Sequence, residues 1–136
     1  METNDLIKNV PVLLAALLVA ILFIQSGLDK VLDWKGNVEW LTGHFSKTFL
    51  AGMVPVMLAQ ITLIELAAGL MSAAGIVYFF LTGSSAVIFW AAAVGAAGII
   101  ALFFGQRIAK DYAGAAVLIP YFILLGGLMV LTNPYR

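Results

Sequence analysis

The sequence predicts an all-α integral membrane protein: a four-transmembrane-helix bundle with an interfacial amphipathic helix between helices 1 and 2. Of its 136 residues, 63% are hydrophobic and only 10% are charged. Soluble domains are about 45–50% apolar and about 25% charged, and a chain this small cannot bury so much apolar surface in its own core. We therefore expect the lipid bilayer to surround a single membrane domain, residues 1–136.

Four apolar segments are each long enough to cross a hydrocarbon core, which takes about 20 helical residues. They lie at about residues 10–28, 53–80, 86–104 and 112–132. The third contains Ala91 and Gly95, small residues at a spacing that lets helices approach closely. We favour packing inside the bundle over a contact between two copies of the chain. Asp111 stands where it can cap the fourth helix.

The first connection, about residues 29–52, is much longer than the others. Four of its apolar residues recur at helical spacing: Trp34, Val38, Leu41 and Phe45. This pattern predicts an amphipathic helix in the plane of the interface, a depth that suits Trp34 and Trp40. We favour a simple interfacial anchor over a lid that covers the mouth of the bundle.

The distribution of basic residues predicts the orientation of the chain. Four spans place both termini on one side, together with Lys8 and Arg136. The opposite side carries more basic residues: Lys30, Lys35, Lys47, Arg107 and Lys110. Because cytoplasmic loops carry an excess of Lys and Arg, we expect the termini to lie outside the cytoplasm.

Glu65 is the only formally charged residue between Lys47 and Arg107. Counted from Met53 at about 1.5 Å per residue, it lies roughly 18 Å along its helix, near the bilayer midplane and level with Ala16 on helix 1. No basic residue is expected at that depth. Since unpaired burial disfavours a charged carboxylate, we expect Glu65 to be protonated at pH 7. A functional carboxylate and a purely structural contact between helices both remain open.

A second group of polar residues gathers at the mouth of the predicted bundle. It comprises Gln25, Ser26, Asp29 and Lys30 at the end of helix 1, Gln60 on helix 2, and Gln106, Arg107, Lys110, Asp111 and Tyr112 around the third connection. Within this group, Gln25, Asp29, Lys30 and Gln60, with Glu65 as the deep polar end, form the candidate ligand-binding site. The alternative is that these residues simply mark helix ends, where charged side chains reach the interface.

Composition excludes several classes of function. The chain has no cysteine and a single histidine, His44, so we expect neither a metal site nor a covalently bound cofactor. Seven basic residues balance seven acidic ones, so no basic surface is available for nucleic acid. No catalytic motif is present, which leaves enzyme activity uncertain and favours a non-catalytic or accessory membrane subunit.

Three short motifs resemble the DoxX family of small four-helix bacterial membrane proteins. They are FIQSGLDKVLDW (residues 23–34), ELAAGLMSAAG (65–75) and AKDYAGA (109–115), and the resemblance extends over nearly the whole chain. The family pattern corresponds here to Gly27, Lys30, Glu65 and Gly69. This chain departs from many relatives in lacking an arginine inside helix 1, which by spacing would fall near Ala16 and pair with the glutamate.

The resemblance implies a redox-associated subunit of the bacterial inner (cytoplasmic) membrane. Some DoxX proteins are membrane subunits of thiosulfate:quinone oxidoreductase, and others assemble with soluble redox enzymes. Quinone is therefore the expected ligand, and the expected partners are the bilayer, other membrane or redox-complex subunits, or a second copy of the chain. Two alternatives remain: a proton-coupled small transporter that uses Glu65, and a structural scaffold subunit.

Overall fold

The computed structural model of the chain describes residues 3–135, and these form six α-helices and one short 3₁₀ helix. The α-helices are α1 (Thr3–Lys8), α2 (Val10–Leu32), α3 (Trp34–His44), α4 (Val54–Thr82), α5 (Ala86–Ile108) and α6 (Tyr112–Thr132). The 3₁₀ helix, Ala51–Met53, leads directly into α4. Four of the helices, α2, α4, α5 and α6, are long and apolar enough to cross a membrane. The chain is an all-α multi-pass membrane protein, as the sequence predicts.

Two of the spans are longer than the sequence predicts. The first continues to Leu32 and the third to Ile108, so Lys30 and Arg107 lie inside helices and not in connections. The prediction ended each span at its first charged residues. A charge marks the edge of the hydrocarbon core, but the helical hydrogen bonds continue into the headgroup region, where water is available.

The close approach of α2 and α4 depends on glycine. A Cβ atom at Gly69 would lie 2.8 Å from the backbone nitrogen of Ile24 and 3.2 Å from the carbonyl oxygen of Ala20. A Cβ atom at Gly27 would lie 2.5 Å from Cδ2 of Leu66. The absence of these Cβ atoms brings the two backbones together, as is common where helices pack in lipid.

The third span packs through its small residues against the inside of the bundle. Ala91 and Gly95 are both buried. A Cβ atom at Gly95 would lie 2.9 Å from Cε2 of Phe23, on α2. Packing within the bundle, which the sequence analysis favoured, is therefore correct, and Gly95 offers no free face to a second copy of the chain.

The register of α2 against α4, which is 29 residues long against 23 for α2, shapes one end of the bundle. Gly27 lies beside Leu66, and Ser72 Oγ donates a hydrogen bond of 2.7 Å to the carbonyl oxygen of Ala16. In this antiparallel register the end of α2 at Leu32 is level with about Ile61 of α4. The first turns of α4 therefore extend beyond α2, and so does the last turn of α5.

α3 occupies the space beyond the end of α2. Asp33 alone separates the two helices. None of the α3 residues is buried. The helix and the loop after it make contact with the bundle through a small apolar cluster formed by Phe45, Leu50 and Val54, on which Val38 and Leu41 pack. The amphipathic helix predicted between helices 1 and 2 is thus present at this end of the bundle.

Candidate functional site: a buried ion pair beside an apolar cleft

Lys30 of α2 and Glu65 of α4 form an ion pair between the two helices. Lys30 Nζ lies 2.9 Å from Glu65 Oε1 and donates a hydrogen bond of 3.2 Å to Glu65 Oε2. The same ammonium donates to Ser26 Oγ at 2.8 Å, one turn earlier on α2. The side chain of Glu65 is 2% exposed and that of Lys30 is 19% exposed. The carboxylate is thus enclosed, whereas the ammonium has a partly open side.

The prediction that Glu65 lacks a cationic partner is wrong. Glu65 was expected to be protonated only because no cation was expected near it. The presence of Lys30 removes the reason for that expectation. The predicted level of Glu65 is wrong too, because Glu65 stands opposite the last turns of α2, whereas Ala16 stands opposite Ser72. An arginine at position 16 would therefore not be level with Glu65 in this geometry.

The error arose from the assumption that α2 ends level with the start of α4. The depth of Glu65 was counted from Met53, and that of helix 1 from Leu28, as if both residues lay at one membrane surface. Instead α3 carries the chain further out before α4 begins, so the pairing of α2 with α4 is displaced by about two to three turns.

The two carboxylate oxygens of Glu65 have different surroundings. Oε2 accepts the hydrogen bond from Lys30, while Oε1 is nearer to the ammonium but outside hydrogen-bond geometry. Within residues 3–135, Oε1 accepts no hydrogen bond. Its one close polar contact among these residues is the ammonium at 2.9 Å, and it retains a lone pair that can accept a further hydrogen bond.

An open, largely apolar cleft of about 460 Å³ lies next to this pair. Its walls come from α3, the first half of α4 and the last half of α5, and Lys30 is the only charged residue between positions 3 and 135 that lines it. The aromatic residues of the lining are Trp40, Phe45 and Phe104. The cleft exists because α2 ends early, which leaves space between α4 and α5 that α3 covers only in part.

The predicted site residues are only partly brought together. Lys30 and Gln60 line the cleft, and Glu65 lies directly behind Lys30. Gln25 and Asp29 are exposed and do not line the cleft. Asp29 contributes only its backbone carbonyl, which accepts hydrogen bonds from α3 and from the residue between the helices.

The contribution of α3 and α5 to the cleft is not expected from the sequence. Asn37 and Gln106 add amide groups to its lining. Gln106 belongs to the polar residues that the sequence places at the mouth, outside the candidate site, and Asn37 to a polar face of the amphipathic connection. The apolar spacing of α3 was visible in the sequence. The sequence does not show that α5, which is distant in the chain, forms the wall of the cleft opposite α3.

The four positions that correspond to the DoxX pattern lie together at the interface between α2 and α4. Gly27 and Gly69 permit the close backbone contact, and Lys30 and Glu65 form the ion pair. A comparison of the chain with protein-family models, with curated proteins and with solved structures finds no match.

The geometry defines the kind of ligand that the cleft can hold. Lys30 and Glu65 together carry no net charge, so an anionic ligand at Lys30 would also meet the field of the buried carboxylate behind it. A neutral group with a hydrogen-bond acceptor avoids this repulsion and can still accept from the ammonium. The apolar and aromatic walls suit a flat, lipid-soluble body.

Proposed function

We propose that the chain is a redox-associated integral membrane subunit that binds a quinone-type ligand in the cleft beside Lys30. The observation that carries the proposal is one half-buried ammonium on the wall of an otherwise uncharged, aromatic-lined cleft. The cavity volume of about 460 Å³ lies within the range of roughly 300–1,000 Å³ that is typical of small-molecule sites.

In this proposal Lys30 donates a hydrogen bond to a carbonyl oxygen of the quinone. Glu65 and Ser26 hold the ammonium in place: besides Glu65 Oε2 and Ser26 Oγ, it donates a long hydrogen bond of 3.3 Å to the carbonyl oxygen of Ser26. This long bond is the one that a quinone carbonyl would replace. Glu65 thus acts as a fixed countercharge, which replaces its expected role as a carrier of the proton. The amide of Gln60 is a second polar group within the same lining.

The ligand or a partner would have to carry the electrons. The chain contains no cysteine and one histidine. We therefore propose an accessory subunit, without catalysis of its own, that works beside another membrane or redox-complex subunit. The resemblance to DoxX proteins supports this class of function and a bacterial inner-membrane location.

The proposed orientation places the cleft at the cytoplasmic side. The end of the bundle that contains the cleft also carries most of the basic residues: Lys30, Lys35, Lys47, Arg107 and Lys110. Lys8 lies at the other end, and Arg136 falls outside the described residues. This distribution supports termini outside the cytoplasm.

The direct test is quinone retention in lipid nanodiscs of defined composition. Ubiquinone or menaquinone is added, the discs are separated from free quinone, and the quinone retained in excess of that in protein-free discs of the same lipid is extracted and measured, because quinone also dissolves in the bilayer. The matched variant carries Lys30→Gln and Glu65→Gln together, which removes both charges without leaving either one unpaired. We expect the wild-type protein to retain quinone and the double variant to lose most of it. Equal retention would reject the site.

A proton-coupled transporter is the second candidate, favoured by the spare acceptor capacity of Glu65 Oε1. A transporter needs this carboxylate to exchange its partner during the cycle, whereas the contacts of Lys30 favour a fixed pair. Proton flux into liposomes that disappears in Glu65→Gln would favour transport. A structural scaffold, the third alternative, predicts that this variant affects neither flux nor quinone retention.

A further inference from the structure

His44 connects α3 to the turn between α5 and α6, at the outer side of the cleft. His44 Nε2 lies 2.8 Å from Gln106 Oε1 and 3.8 Å from Asp111 Oδ2. The ring of Trp40, one turn earlier on α3, stacks on the imidazole with a centroid distance of 4.7 Å. Trp40 and Gln106 both line the cleft.

Apart from these contacts, α3 is held by the small apolar cluster on which Val38 and Leu41 pack. None of its residues is buried, and the single residue Asp33 joins it to α2. Few buried apolar contacts mean a low free energy of local opening. A helix of this kind can move away from the cleft while the four spans stay packed.

We propose that α3 is a movable cover of the cleft, in place of the simple interfacial anchor that the sequence favours, and that His44, Gln106 and Asp111 form a pH-dependent latch that holds it closed. The inference rests on the proposed function only for the identity of the ligand that the cover would admit or retain. Histidine is the side chain that ordinarily changes charge between roughly pH 5 and 8.

Protonation of His44 strengthens both contacts. A charged imidazole is a better donor to Gln106 Oε1, and it adds Coulomb attraction to Asp111. Asp111 is already held in place, because its other oxygen, Oδ1, accepts from the backbone nitrogen of Gly114 at 2.9 Å. Among residues 3–135, Asp111 is the only acidic side chain with an oxygen within 4.0 Å of the imidazole. Two basic residues belong to the same region: Arg107, whose guanidinium lies over the ring of Tyr112, and Lys110, which directly precedes Asp111 in the chain.

The test measures how often the cleft opens, without any ligand. Because the chain has no cysteine, a single introduced thiol is the only reactive one. Met57→Cys places it in the lining of the cleft, and Gly52→Cys, where a Cβ atom meets nothing within 4 Å, serves as the exposed reference. Both variants are labelled with a water-soluble maleimide in nanodiscs. The ratio of the two rates removes the intrinsic pH dependence of thiol labelling.

We expect this ratio to fall about two- to fivefold between pH 8 and pH 5.5, the size of effect that partly exposed ion pairs produce. In His44→Gln the ratio should not depend on pH. Asp111→Asn, which retains an oxygen able to cap α6, should likewise flatten most of the response. If Met57→Cys does not fold, Leu41→Cys on α3 reports on the same cleft.

A ratio that is independent of pH in the wild-type background, or one that changes equally in all three backgrounds, would overturn the latch. The outcome is separate from that of the quinone test. A protein that shows the pH-dependent labelling but retains no quinone would keep the latch and reject the ligand. A protein that retains quinone but shows no pH-dependent labelling would reject the latch alone.

Discussion

The backbone of Ile24 lies so close to Gly69 that no side chain fits between them. A Cβ atom at position 69 would stand 2.8 Å from the nitrogen of Ile24 and 2.6 Å from its Cγ1. A rigid backbone atom on the opposite helix cannot move aside alone, so the two helices must separate. This contact lies on the same interface as the Lys30–Glu65 pair.

We therefore expect Gly69→Ala to lower the free energy of unfolding by about 1–3 kcal/mol, the usual cost of overpacking a close contact. Gly127→Ala is the matched control, because a Cβ atom there meets nothing within 4 Å. It should change stability by less than about 0.5 kcal/mol. Unfolding in mixed micelles of mild detergent and SDS measures both, and equal effects would contradict the close contact.

The ion pair predicts a strongly non-additive set of variants. Glu65→Leu or Lys30→Met alone leaves a buried or half-buried charge without its partner, and we expect each to cost about 3 kcal/mol. The double variant removes both charges and should recover most of that loss, because apolar replacements of a buried pair are often neutral. The same unfolding assay completes the cycle. Additive losses would mean that the two side chains do not interact.

The cap of α6 predicts a smaller effect. Asp111→Ala removes the acceptor for the backbone nitrogen of Gly114, and we expect a loss of about 1 kcal/mol. Asp111→Asn keeps a capping oxygen and should lose only a few tenths of that amount. A loss as large in the asparagine variant as in the alanine variant would show that the charge, and not the cap, is what stabilises the helix.

Filling the cleft should remove ligand binding without unfolding the bundle. Met57→Trp adds bulk to the lining, whereas Leu63→Trp adds the same bulk to an exposed position of the same helix. We expect quinone retention in nanodiscs to fall at least about fivefold in the first variant, since a steric clash of about 1 kcal/mol already has that effect. The second variant should behave like the wild type. Equal retention by both would place the ligand elsewhere.

The four spans could be predicted from the sequence, because the length and apolar composition of each segment identify it as a membrane-spanning helix. The end of α5 and the partner of Glu65 could not be predicted from composition alone. A charged residue such as Arg107 marks the edge of the apolar solvent, but it does not stop the backbone hydrogen bonds of the helix. The pairing of Lys30 with Glu65 depends on the register between two helices, and glycine contacts set that register.

The cleft was predictable only in part for a related reason. Lys30 and Gln60 were visible as polar residues near helix ends, and both line it. The equally polar Gln25 points elsewhere, because its position around the helix, and not its distance along the chain, decides what it faces. The position of a residue along the chain predicts its depth in the membrane. The direction of its side chain depends on how the helix packs against its neighbours.

The unequal lengths of α2 and α4 have a consequence for the surrounding lipid. At about 1.5 Å per residue, α2 is roughly 34 Å long and α4 roughly 43 Å, against a hydrocarbon thickness of about 30 Å. The lipid leaflet at this end must therefore adapt to helices that end at different heights. Where α2 stops, acyl chains can tilt inward toward Lys30, and a thicker bilayer would immerse that lysine more deeply. Acyl-chain length in the host membrane would thus tune how readily hydrophobic molecules partition sideways into the protein.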